Sequence, residues 1–136
     1  MHTFERNERL KSRKLLSRLF QEGRAFVAYP LRVVWLPLSE AERAVMRFGG
    51  HPAQVAISVP KRRYKSAVMR NRVRRQVREA YRLSKHVLYE QLKCRSLHIA
   101  LIFIFVGKED PSFEQLAGSM RKVVQFFARQ PLPLSE

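Results

Sequence analysis

Apolar residues recur along this chain in two rhythms, and the changes of rhythm mark the elements. Leu15, Leu16, Leu19 and Phe20 fall at helical spacing with Gly23 as a stop, which predicts a short helix over residues 12–22. Residues 25–38 alternate instead. Leu31, Val33 and Trp35 point one way and Arg32, Val34 and Leu36 the other, a strand that Pro30 and Pro37 break or bound. Residues 39–53 keep no lasting period and read as a connection, with Val45, Met46 and Phe48 able to extend a strand before Gly49-Gly50. A second strand spans 54–60, with Val55, Ile57 and Val59 on one face and the small Ala56 and Ser58 on the other. A long helix follows over about 66–92, with Ser66 as its N-cap. Residues 97–106 form the most apolar strand, expected to be central. Ser112 to Gln115 match a capping box, and behind them Phe113, Leu116, Ala117, Met120, Val123, Val124 and Phe127 make one helical stripe. The order is α-β-β-β-α-β-α. Amphipathic helices must lay their apolar stripes on a sheet, so the fold class is α+β, with helices packed on a small, mostly antiparallel sheet.

Length changes this picture little. The 136 residues suit one domain, taken as 1–130, with 131–136 a Pro-rich frayed tail. Charge changes it more. Lys plus Arg number 27 against 11 for Asp plus Glu, a net charge of +16. Such self-repulsion is normally tolerated because a polyanion neutralises it, and nucleic acid leads an anionic membrane surface as that partner. The N-terminus has no secretory apolar core, and the apolar run Leu97 to Val106 falls far short of the ~20 residues that span a bilayer. Cys94 is the only cysteine, so no internal disulfide or thiolate metal cluster forms, and Cys94 reads as a small packing residue. A cytoplasmic location is expected.

The charge is concentrated in "RNRVRRQVREAYR", residues 70–82, where six of thirteen residues are arginine. With ~100° per residue, Met69, Val73, Val77, Ala80, Tyr81, Ser84 and Leu88 share the core face. Arg75, Arg78 and Arg82 lie opposite, Arg70 and Arg74 on one flank, and Arg72 on the other. An arc this wide suits a helix set against folded RNA. Arginine forks bind phosphate bidentately and stack on bases, and Asn71 can contact a nucleotide or brace a neighbouring arginine. A solvated charged face is the bland alternative. Against it, eleven basic residues and no acidic one lie from Arg43 to Arg78, whereas an ordinary surface mixes signs.

Residues 57–82, "ISVPKRRYKSAVMRNRVRRQVREAYR", resemble the signature of the bacterial ribonuclease P protein component. The matching residues are Ser58-Val59, the basic pair Lys61-Arg62, Ala67-Val68 and Arg70-Asn71-Arg72. The N-terminal "ERLKSRKLLSRLFQEGR" is similar to that family's opening helix, with Phe20 and Gly23 in place. Two stretches depart from the pattern: "RRYK" stands where the family often has a glycine before Ala67, and the 39–53 connection is longer.

The resemblance implies a fold like domain 2 of ribosomal protein S5, with a left-handed βαβ crossover. It implies the small subunit of a ribonucleoprotein whose RNA, using Mg2+ held mainly by that RNA, cleaves the 5′ leader from precursor tRNA. The partners implied are the catalytic RNA and precursor tRNA, with no obligatory protein partner. Arg70, Asn71, Arg72, Arg74, Arg75 and Arg78 are then the RNA-subunit-binding block. Phe20, Trp35, Lys61, Arg62 and Tyr64 are the leader-binding set, in a cleft between sheet and helix. This composition suits an unpaired strand, because aromatic faces stack bases while Lys and Arg hold the backbone. On spacing alone Phe20 beside Leu16 and Leu19 reads as core, Trp35 as a core residue whose indole N–H needs a partner, and Tyr64, flanked by basic residues, as more exposed. The rival functions are a ribosomal protein or RNA chaperone, a stand-alone nuclease, and a membrane-surface binder. For a nuclease, His2, His51, His86 and His98 show no partner at a recognisable spacing, and Glu109-Asp110 reads as a solvated pair rather than a metal site. No catalytic or metal-ligating residue is assigned.

Overall fold

The computed structural model describes residue 4, residues 6–45 and residues 51–130. A 3-10 turn, Arg6–Glu8, precedes α1 (Arg13–Glu22), β1 (Arg24–Ala28), β2 (Leu31–Pro37), α2 (Glu40–Val45), β3 (Ala53–Ser58), α3 (Ala67–Cys94), β4 (Ile99–Phe105) and α4 (Phe113–Ala128). Ser12, Ser66 and Ser112 each cap a helix by accepting from the backbone N–H three residues on, satisfying a donor the helix leaves orphaned. At Ser112 the Gln115 side chain reciprocates, completing the capping box.

Two segments differ from the sequence reading. Residues 25–38 are a hairpin rather than one strand. The chain reverses at Tyr29–Pro30, a cis peptide, and β1 pairs antiparallel with β2 from Arg24↔Trp35 to Ala28↔Leu31. The connection after β2 contains α2, started by Ser39 and Glu42, whose side chains each accept from the other's backbone N–H. Val45 ends that helix rather than extending a strand. Met46, Phe48 and the tail 131–136 lie outside the described residues.

The sheet order is β1-β2-β4-β3, with β4 antiparallel to β2 and parallel to β3. β4 is therefore central, as its continuous apolar run requires, and β3–α3–β4 is a βαβ unit. Period-two alternation sends side chains to two faces, and both faces are used. Leu31, Val33, Trp35, Leu101, Phe103, Phe105 and Val55 join the main core with the stripes of α3 and α4. Val34, Leu36, Ala100 and Ile102 face the other way and pack on Leu15 and Leu19 of α1. Gly23 allows this docking: a Cβ there would collide with the Leu19 carbonyl and come within 2.8 Å of Val34 Cγ1.

A buried polar cluster ties the N-terminal segment to α3. Glu8 is fully buried, and Lys85 Nζ donates to both its carboxylate oxygens at 2.7 Å. The Tyr89 hydroxyl donates to the same carboxylate. Burial comes first among the causes that raise the Tyr81 and Tyr89 hydroxyls above the ordinary phenol range. Beyond Glu8, Arg9 bridges in parallel to Val55, and Leu10 N–H donates to the Val55 carbonyl at 2.9 Å. The segment so covers part of the β3 edge, which would otherwise present unpaired backbone groups.

Candidate nucleic-acid interface

On α3, Val73, Val77, Ala80, Tyr81 and Leu88 are buried, so the stripe read from the sequence is the core face. The arginines point away from it but play different parts. Arg72 and Arg75 are exposed and make no hydrogen bond or ion pair among the described residues. Asn71 Oδ1 accepts from Arg74, so Asn71 braces an arginine. Arg70 donates to the carbonyls of Tyr64 and Lys65 at 2.9 and 2.8 Å, tying the 61–66 loop to the first turn of α3. Arg82 is paired with Glu79. Arg78 is half-buried; burial, then the charges of Arg9, Arg74 and Arg75, pull its pKa below the usual guanidinium value. Four cations crowd there, and a bound anion would relieve their repulsion.

The structure separates the leader-binding residues expected from the sequence. Phe20 is 63% exposed on α1, so its ring is available to a base. Lys61 and Arg62 are exposed in the loop after β3. Tyr64 is half-buried beside Phe105 and donates to Asp110 Oδ1 at 2.5 Å, and burial followed by that bond pushes its hydroxyl up to about 12. Trp35 does not fit the set. It is 2% exposed, with its ring edge-on to Phe126 and Phe127, and its indole Nε1 finds no hydrogen-bond partner among the described residues. The alternation explains this, because Trp35 shares the face of Leu31 and Val33, which α3 and α4 cover.

The open part of the sheet lies on the α1 side. The strand registers align Val27, Arg32, Ile104 and Ser58 in one row across all four strands. Val27 and Arg32 are exposed, and Ile104 and Ser58 half-exposed. The row sets two aliphatic side chains, one hydroxyl and one guanidinium on the same side of the sheet as α1. Sequence reasoning missed Val27, Arg32 and Ile104, because no single strand reveals which rows a short helix leaves uncovered. It also missed Phe4 and Arg9. The Arg9 guanidinium lies 5.6 Å from the Phe4 ring centroid, and both line a hollow of about 240 Å³ with Lys11 and Arg78.

The contacts of His51 with Glu8 and of His98 with Arg43 do not make an acid–base pair open to substrate. His51 Nε2 is 4.0 Å from Glu8 Oε1, but that carboxylate is buried and held by Lys85 and Tyr89. His98 Nδ1 is 2.7 Å from Arg43, and burial, then that charge, lowers its pKa. His2 lies outside the described residues. Asp110 accepts from Tyr64 rather than standing free. Among the described residues no group of three or more His, Cys, Asp or Glu is placed to hold a metal ion.

Residues 4–127 match the ribonuclease P family model. The ribonuclease P protein component of Porphyromonas gingivalis is 42% identical over 117 residues, covering 86% of this chain and 80% of that protein. The one from Chlorobaculum tepidum is 29% identical over 134 residues, covering 94% and 84%. The solved RNase P protein of Staphylococcus aureus has a similar fold, with a TM-score of 0.62 at 20% identity over 88% of this chain and 94% of that one. For the Thermotoga maritima protein the TM-score is 0.61 at 21% identity, covering 91% and 98%.

Proposed function

Because the chain belongs to the ribonuclease P protein family, we propose that it serves a ribonuclease P particle that removes the 5′ leader of precursor tRNA. The RNA subunit carries the reaction, with magnesium ions bound mainly by that RNA, and this chain binds and orients. The outward face of α3 grips the RNA subunit. The open sheet floor on the α1 side receives the unpaired leader, Phe20, exposed on α1, stacks one of its bases, and Lys61 and Arg62 hold its backbone. The cytoplasm is the expected place; no helix among the described residues is long and apolar enough to cross a membrane.

The observation that carries the reading is the face of α3 on which Arg72 and Arg75 stand exposed without a carboxylate partner among the described residues. An unneutralised guanidinium pair, within a chain of net charge +16, is matched to phosphate. The family match favours this reading over a ribosomal protein or RNA chaperone. Cleavage of a precursor tRNA, assayed with the cognate RNA and magnesium at low salt, tests it. The RNA with the protein should cut efficiently where the RNA alone is slow, and the protein alone should leave the substrate intact. Turnover by the RNA-free protein that disappears when one histidine is changed would sink the assignment of chemistry to the RNA.

A second expectation concerns the leader. In the assembled particle Phe20→Ala should weaken binding of precursor tRNA by ~1–3 kcal/mol, the worth of one stacked base, with little change for mature tRNA. Its exposure means the melting temperature should hold. Shortening the leader should mimic the substitution, and combining the two should add nothing. Equal weakening for precursor and mature tRNA would place the leader elsewhere.

A further inference from the structure

Between α3 and α4 lies a groove of about 410 Å³, within the range typical of small-ligand sites, whose α4 wall none of the roles above uses. Its walls are Arg72, Arg75, Gln76 and Glu79 of α3 and Phe113 and Leu116 of α4. Phe113 belongs by spacing to the core stripe of α4, yet it is 56% exposed while Leu116, one turn on, is 1% exposed. The Phe113 ring at the first residue of the helix therefore keeps more than half of its surface available to a ligand. Across from it on α3 stand Arg72 and Arg75, which have no partner among the described residues, and Gln76, whose amide can donate and accept. The one carboxylate in the groove is already engaged: Arg82 donates to both Glu79 oxygens, at 3.0 and 2.6 Å. The groove therefore offers a π-face, an amide and two free positive charges, which together match a nucleotide with its flanking phosphates.

We propose that this groove holds one unpaired nucleotide of the RNA subunit, its base against the Phe113 ring and the adjoining phosphates on Arg72 and Arg75. The occupant is assigned to the RNA subunit rather than to the leader because of the side of the sheet. α3 and α4 cover one face and α1 the other, so the sheet separates Phe113 from Phe20 and the open floor. The inference rests on the RNA-binding reading and sharpens it: α3 then contributes base stacking through its neighbour as well as charge.

The test is the affinity of the full chain for its cognate RNA, measured for the parent, Phe113→Ala, Phe113→Leu and Phe113→Tyr, with a thermal melt for each. Stacking of one base is worth ~1–3 kcal/mol, so Phe113→Ala should weaken binding roughly 5- to 150-fold. Phe113→Tyr should keep parent affinity. Phe113→Leu, apolar but without a π-face, should fall with alanine, and it keeps the test valid if the alanine variant melts early. Chemical probing of the bound RNA should show an unpaired nucleotide protected by the parent and by Phe113→Tyr, and reactive with Phe113→Leu. Parent-like affinity for Phe113→Ala or Phe113→Leu overturns the groove while leaving RNA binding by α3 intact. A loss confined to precursor tRNA, with RNA-subunit affinity unchanged, overturns the assignment of the occupant. Failure of the parent itself to bind the RNA defeats the underlying reading instead.

Discussion

Lys85→Met should destabilise the domain by about 3–5 kcal/mol, the usual cost of removing one partner from a buried ion pair. The Glu8 carboxylate has no exposed surface, and Lys85 Nζ satisfies both its oxygens at 2.7 Å. Methionine keeps the length of the lysine stem but removes the cation from the carboxylate, which keeps the Tyr89 hydroxyl as a donor. Glu8 must then either take up a proton or leave the core, and leaving pulls the N-terminal segment off β3, breaking the Leu10–Val55 bond. The melting temperature should fall by roughly 10 °C or more. Adding Glu8→Leu to Lys85→Met should recover most of the loss, because a well-packed apolar pair costs no charge desolvation. Chemical denaturation of parent, single and double variants measures both steps. A single variant within 1 kcal/mol of the parent (about the worth of an exposed pair), or a double variant no better than the single, would show that the cluster does not hold the segment.

That cluster marks the limit of what periodicity conveys. On α3 the positions 69, 73, 77, 80, 81, 84 and 88 are legible as one stripe, and five of those seven residues are buried, with Met69 and Ser84 half-buried. Lys85 sits at the margin of that stripe, between Tyr81 and Tyr89 at i±4 spacing, and a lysine at a margin reads as solvated. Its carboxylate partner is the distant Glu8, and a pairing 77 residues apart in sequence leaves no local trace. The short helix α2 is a different case. Its signal, Ser39 three residues before Glu42, is a capping pattern, but six residues are too few to show a period. The hairpin was hidden because residues 24–28 alternate too weakly to stand apart from β2.

The arginine face was legible because charge and spacing are both local properties. The aromatic positions were not, because their exposure depends on which sheet face a helix covers. Alternation correctly grouped Trp35 with Leu31 and Val33, but no residue of β2 says that α3 and α4 lie over that group rather than over Val34 and Leu36. Phe20 and Phe113 show the same dependence in reverse. Both lie beside core residues at helical spacing, and both are more than half exposed, because α1 and α4 each turn that side outward at the edge of their packing.

The separation of core and charge along α3 gives the second large effect. Replacing Arg72, Arg74 and Arg75 together with alanine should leave the melting temperature near that of the parent, since none of the three contributes to the buried stripe. RNA binding should change in a diagnostic way. Each lost phosphate contact flattens the salt dependence by ~0.7 to 0.9, so three should flatten it by about 2 to 3. A fourfold rise in salt would then cost the variant ~20- to 40-fold less affinity than it costs the parent. Arg70 is kept out of the set because it ties the 61–66 loop to the helix through two carbonyls, and its loss would mix loop order with charge. Val77→Asp should do the reverse. Val77 is fully buried, and a carboxyl there has no partner, a penalty of several kcal/mol even after it takes up a proton, against a total stability of ~5–15 kcal/mol for an ordinary domain. That variant should be unfolded, or nearly so, by circular dichroism and should lose RNA binding together with its fold. Early melting of the triple arginine variant, with Val77→Asp tolerated, would mean that α3 presents its other side to the RNA.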